Sequence, residues 1–218
     1  MKKFSRLAFF DFDGTLTDGS EFVYEELCKA GAIDYVRAKQ NFQDCRDGKM
    51  TYEDLVARDV AGFQVAGMTK QKMLDAMSRI RIMIGARETL EALRNKGFGL
   101  FIISGGINVL VEKVFPDYKT LFEDIFINDY QFDIAGHLVK GIATPYDFHH
   151  KATCIKATAT RYDVPLSQTI FTGDNFNDVE AAQTAGISFA FNTTHEGLIK
   201  AATHHIQKKD LREILKYL

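Results

Sequence analysis

Leu7-Ala8-Phe9-Phe10-Asp11-Phe12-Asp13-Gly14-Thr15-Leu16-Thr17 is a bulky apolar run that stops in two carboxylates, a glycine and two hydroxyls. A short, unbroken apolar segment bounded by turn residues predicts a strand buried on both faces. Three further segments follow the same plan. Residues 99–103 end in Ser104-Gly105-Gly106, residues 169–172 end in Gly173-Asp174, and residues 187–191 form the last. Helical spacing precedes each of these, over residues 86–96, 149–162 and 177–185, with Gly97 and Gly186 where helix C-terminal glycines belong. Such alternation predicts an α/β fold, a doubly wound parallel (Rossmann-like) sheet with helices on both faces.

Between the first and second strands the pattern changes. Residues 21–30, 34–44, 51–63 and 69–82 carry helical spacing without strand-like runs, and Thr51 and Thr69 are candidate helix starts. This predicts a core of residues 1–17 and 84–218 with a small helical unit, residues 18–83, inserted after the first strand. The insert holds 10 Lys/Arg against 11 Asp/Glu and is no basic patch. Residues 130–140, with Ala135-Gly136 at the centre, predict a β-hairpin.

The chain has 218 residues, 46% hydrophobic and 26% charged, with a net charge of −2. That balance supports a sizeable core and argues against a nucleic-acid partner. No stretch approaches the ~18 apolar residues of a membrane span, and the apolar start is broken by Asp11 before it reaches signal-peptide length. Cys28, Cys45 and Cys154 are sparse and lack metal-ligand spacing, so reduced thiols and a cytoplasmic setting are expected.

Ligands bind at the carboxyl ends of strands in such sheets, which is where the polar residues lie. Asp11 and Asp13, at i and i+2, leave an extended strand on one side. By themselves they could also form an acidic turn or a simple cation site. Ser104 and the Gly105 amide, before a helix from about Ile107, make a small anion site. Asp174 at a strand end could reach a metal near Asp11, and Asp178, one helical turn on, could support it from behind. Lys151 opens a helix, where a cation is unexpected against the dipole. Together these residues make a mechanism. A cation held by Asp11 and Asp174 offsets repulsion of a phosphate dianion, and hard oxygen ligands favour Mg²⁺. Asp11 would attack phosphorus, and Asp13 would serve as acid and then base. Ser104, Gly105 and Lys151 hold the equatorial oxygens.

This set, in this order, resembles the haloacid dehalogenase superfamily over nearly the whole chain. Asp11 to Thr17 looks like its DxDxTx(T/V) motif, Ser104 its second, Lys151 its third, and Gly173 to Asp178 its GDxxxD motif. The helical insert is similar to the family's mobile cap. Within the superfamily the likeness is to phosphoserine phosphatases, through Ser104-Gly105-Gly106 and Gly173-Asp174-Asn175-Phe176-Asn177-Asp178. The resemblance implies a Mg²⁺-dependent phosphomonoester hydrolase acting through an aspartyl-phosphate. It implies Asn177 near the phosphate and the Asp13 carbonyl as a further Mg²⁺ contact. In the cap it points to Glu21, Tyr52 and Arg58 as specificity residues. At the position where the family's substrate-carboxylate arginine is expected, this chain has Asp59, an acid that would repel a carboxylate. The expected partner is a small phosphomonoester, without nucleic acid or membrane, for a monomer or homodimer. A phosphotransferase passing the phosphoryl group to an alcohol, or a non-catalytic phosphate-binding regulator, are the alternatives.

Overall fold

The computed structural model describes residues 4–19, 23–146 and 150–218. In it β1 (Arg6–Phe10) sits at the centre of a seven-stranded sheet, parallel to β4 (Phe98–Ile107) on one side and β7 (Thr169–Gly173) on the other. Outward from these lie β5 (Asp124–Phe132) and β6 (Leu138–Ile142) on one flank, and β8 (Ile187–Phe191) and β9 (His204–Ile206) on the other. The order is β6-β5-β4-β1-β7-β8-β9, parallel throughout except for β6 against β5. Chain order reverses direction across the sheet at β1. The crevice beyond its carboxyl end is therefore the natural ligand position.

Side chains alternate along β1, and the alternation divides the core in two. Leu7 and Phe9 pack with Phe101, Ile103, Phe171 and Ala190 on one face. Ala8 and Phe10 pack with Leu100, Ile102, Ile170, Phe189 and Phe191 on the other. The first face is covered by α8 (Lys151–Tyr162), α9 (Val179–Thr184) and α10 (Glu196–Ala201). The second is covered by α5 (Ala86–Asn95), α6 (Asn108–Val114), the short α7 (Tyr118–Leu121) and the C-terminal 3₁₀ segment Leu211–Tyr217.

The insert contains α1 (Val23–Ala30), α2 (Tyr35–Arg46), α3 (Tyr52–Val65) and α4 (Lys70–Ala76). Asp34, Thr51 and Thr69 each accept backbone N–H bonds as N-caps, which explains where α2, α3 and α4 begin. Val23, Leu27, Val56, Phe63, Met73 and Met77 join the same apolar cluster as Phe10 and Leu100. α3 lies along β6, and Gln64 donates to the Leu138 and Val139 carbonyls.

Some expectations need correction. The segment 69–82 is not one helix: it stops at Ala76, and Arg81–Ile82 forms β3, antiparallel to β2 (Thr17–Asp18). The hairpin at 130–140 is present, but its first strand begins at Asp124 and pairs parallel with β4, which no reading of the hairpin suggested. β4 runs beyond Ile103 through a register shift to Ile107. Gly97 ends its helix at φ +82°, whereas Gly186 has no positive φ and is required by packing: a Cβ there would lie 2.5 Å from the Ser167 carbonyl oxygen. Among the described residues no helix is long and apolar enough to cross a membrane.

Candidate active site

Asp11 follows β1 directly, and its N–H continues the ladder to the Thr172 carbonyl at 2.9 Å. It keeps the parity of Leu7 and Phe9, so its carboxylate is directed to the α8 face. The chain then turns. The Phe12 carbonyl accepts from the N–H groups of Thr15, Leu16 and Thr17, and Gly14 sits at φ +80°. A Cβ on Gly14 would lie 2.3 Å from Asp174 Oδ2, so only glycine lets the turn pass this close to the acid. Asp13 reaches the same cavity as Asp11 through this turn rather than by continuing the strand.

Lys151 is the first residue of α8 and belongs to its buried stripe, with Cys154, Ile155 and Thr158 at helical spacing. This position directs the chain inward, and the side chain is fully buried. Its ammonium lies 3.0 Å from Asp11 Oδ1 and 2.7 Å from Asp178 Oδ1. Asp178 Oδ2 accepts the N–H groups of Asp174 and Asn175 at 2.9 and 3.0 Å, closing the turn after β7 on itself. Asp174 Oδ1 accepts from the Thr15 hydroxyl at 2.9 Å. Two strand ends and a helix start are thereby tied to one another through charged side chains.

Asp11, Asp174 and Asp178 each bring a carboxylate oxygen within 4.8 Å of the others. Burial pushes Asp11 up to about 7, against the pull of Lys151 and with help from Asp178 and Asp13. Burial raises Asp13 to about 6, and burial with the Asp11 charge raises Asp174 well above its ordinary value. Asp13 Oδ1 is buried and has no hydrogen-bond partner among the described residues. The clustered, raised acids Asp11 and Asp174 and a donor set made wholly of hard oxygens fit a small divalent cation such as Mg²⁺.

Above the acids lies a cavity of about 760 Å³, lined by Asp11, Asp13, Ser104, Gly105 and Asn177 on the sheet side. Ser104 is buried, and its Oγ accepts the Gly106 N–H at 3.1 Å. From the insert, α3 supplies Tyr52, Leu55, Val56 and Asp59. Asn128, on β5, joins the two sides: its amide donates to the Gly105 carbonyl and to the Tyr52 hydroxyl, both at 2.7 Å, and its oxygen accepts the Thr144 N–H. The sequence reading passed over Asn128, although Ile125, Phe126 and Ile127 form a short apolar run ending in this polar residue, as in the other strands. Thr15 was read as part of the turn after the strand, and its hydrogen bond to Asp174 was not foreseen. Arg58 does not join the site; it is exposed and points to Asn41 Oδ1 at 3.5 Å. One residue along a helix turns the side chain by about 100°, and Asp59 takes the inward direction instead. Glu21 lies outside the described residues.

The profile of the haloacid dehalogenase-like hydrolases matches residues 6–186. The chain is 30% identical to a phosphoserine phosphatase of Methanocaldococcus jannaschii, covering all of both proteins. It is 31% identical to the phosphoserine phosphatase SerB2 of Mycobacterium tuberculosis over 86% of this chain, and this match spans 44% of that longer protein. Among solved structures, a phospho-aspartyl intermediate analogue of phosphoserine phosphatase superimposes with a TM-score of 0.76 at 27% identity, covering all of both chains. With the acid cluster at the switch point of a doubly wound sheet, these matches make the chain a phosphatase of the haloacid dehalogenase-like hydrolase family, similar to phosphoserine phosphatases.

Proposed function

We propose that the protein is a Mg²⁺-dependent hydrolase of a small phosphomonoester, acting through an aspartyl-phosphate on Asp11. The observation that carries this reading is the cluster of Asp11, Asp174 and Asp178, with the buried Lys151 paired to Asp11 and Asp178 and with Asp13 facing the same cavity as Asp11. Asp11, Asp174 and the Asp13 carbonyl would hold the cation, with Asp178 bracing them. Bound there, the cation would neutralise the repulsion between these carboxylates and a phosphate dianion.

Asp11 Oδ1 already accepts from the Phe12 N–H at 2.7 Å and from Lys151, which leaves Oδ2 to attack phosphorus. As the new P–O bond forms, the ester P–O bond breaks and Asp13, protonated, gives its proton to the leaving alcohol. An acid raised to about 6 by burial is suited to exist in both protonation states near neutrality. Asp13 then takes a proton from water, whose oxygen attacks phosphorus and frees both phosphate and Asp11. Ser104, the Gly105 amide, Asn177 and Lys151 hold the phosphoryl oxygens while charge shifts among them. Residues 18–83 serve as a cap over a core of residues 1–17 and 84–218 and shape the cavity around the leaving group.

The test is release of phosphate from an aryl phosphate with Mg²⁺, followed by mass detection of a phosphorylated Asp11 peptide after rapid acid quench. Full turnover in Asp11→Asn, or with divalent metal chelated, would overturn this mechanism.

A further inference from the structure

The cavity over the acids has one wall whose chemistry the phosphoryl-transfer steps do not use. Tyr52, Leu55, Val56 and Asp59 lie at i, i+3, i+4 and i+7 of α3, so they share one helix face, and all four line the cavity. The face starts beside the phosphate end, where the Tyr52 hydroxyl meets Asn128 near Gly105. It runs inward for seven residues to Asp59, about 10 Å along the helix axis at ~1.5 Å per residue. Between these ends the wall is apolar, with Val23 and Leu27 contributed by α1.

Asp59 is half-buried at the inner end of this path. The Tyr24 hydroxyl donates to it, and Tyr24 is itself held edge-on against Phe63, which packs against Tyr130. The other titratable groups around it are Cys28 and Tyr130, neither of them a cation. Among the described residues, no lysine or arginine faces Asp59. A carboxylate has about four acceptor positions, so one hydroxyl leaves it with unused capacity. The cations that line the cavity are on α2, and each is laid over an aromatic ring. Lys39 is 4.9 Å from the Tyr35 ring centroid, and Arg46 is 4.2 Å from that of Phe176. An acid in this position opposes a substrate carboxylate and rewards a cation.

Building on the phosphatase reading, we propose that Asp59 is a specificity-determining residue that receives a protonated amine on the leaving group. The substrate class is then a phosphomonoester of an amino alcohol with an apolar spacer and no carboxylate at the amine end. Burial has raised Asp59 to about 7, and an entering ammonium would return it to the charged form, pairing both groups out of water.

The experiment is a kcat/KM series on ω-aminoalkyl phosphates of two to six carbons, matched ω-hydroxyalkyl phosphates, and phosphoserine. Each value is divided by the same protein's rate on an aryl phosphate. In the wild type the amine is expected to exceed the matched hydroxyl by tenfold or more at the best length, and to exceed phosphoserine. Asp59→Asn is expected to bring the amine-to-hydroxyl ratio to within about twofold, and Asp59→Arg to raise phosphoserine above the amines. A wild-type ratio near one at every length, phosphoserine as the best substrate, or a ratio unchanged by Asp59→Asn each overturns the proposal. The wild-type comparison needs no variant to fold. Absence of aryl phosphate turnover would instead sink the phosphatase reading itself.

Discussion

Asp178 and Asp59 are both acids drawn away from water, one at the end of the sheet and one on α3. Asp178 is met by the Lys151 ammonium and by two backbone N–H groups, so each oxygen has a donor. Asp59 has the Tyr24 hydroxyl and no facing cation among the described residues. Both are held in place, but only the first has its charge balanced within the protein. Charge balance of the first kind makes a rigid frame that positions reacting atoms, since two strand ends and a helix start must move together. An acid of the second kind carries a cost in the empty protein that a ligand can relieve. The contrast separates the part of the site that defines the reaction from the part suited to choosing the leaving group.

The largest expected effect falls on the frame. Asp11→Asn keeps the shape and removes the nucleophile, and phosphate release should fall at least about 10³-fold, as measured with an aryl phosphate and Mg²⁺. Lys151→Met leaves Asp11 and Asp178 buried without their cation. It should cost about 3–5 kcal/mol of stability in urea melts, and Mg²⁺ should restore part of that loss. A loss below about 1 kcal/mol would break the view that this lysine is the frame's keystone.

Asp13→Asn tests the acid/base assignment with less structural disturbance. Turnover should drop by roughly 10²–10⁴-fold on alkyl phosphates and distinctly less on aryl phosphates, whose leaving group needs little protonation. Equal losses on the two substrates would remove Asp13 from the protonation step.

The smallest effect concerns Asp59 and has the opposite sign. Its folded pKa, about 7, lies above the ordinary carboxylate value, so ionisation opposes folding. This penalty is absent below about pH 4, grows as pH rises, and is complete above pH 7. Asp59→Asn should therefore stabilise the protein by roughly 1–2 kcal/mol at pH 8, the full shift being discounted for solvent at a half-buried group, and by nearly nothing at pH 4. Urea melts of both proteins at the two pH values measure it, and a destabilised variant at pH 8 would show that Asp59 is satisfied by the protein alone.

Much of this site was legible in the chain. Bulky runs ending in Asp11, Ser104 and Asp174 mark parallel strands whose carboxyl ends converge, because a strand buried on both faces must be apolar until it leaves the sheet. Lys151 was legible too, as a cation placed against a helix dipole, although its burial beside Cys154, Ile155 and Thr158 emerged only in the fold. Asn128 and β9 were missed for different reasons. The 125–127 run merges into a hairpin with its own turn signals, and His204–Ile206 is too short to establish a period.

What the sequence determined by itself was the doubly wound fold class and the chemical type of the residues at its strand ends, since both follow from local patterns of apolar and polar residues; the order of the strands came from the tertiary structure. What only the tertiary structure decided was which groups meet. Lys151 between Asp11 and Asp178, Asn128 between Gly105 and Tyr52, and the choice of Asp59 over Arg58 as the residue facing the cavity all depend on how separate elements are rotated and stacked. Rotation of a helix by one residue, about 100°, is set by the fit of its whole apolar face against the neighbours, and no single residue of α3 carries that information.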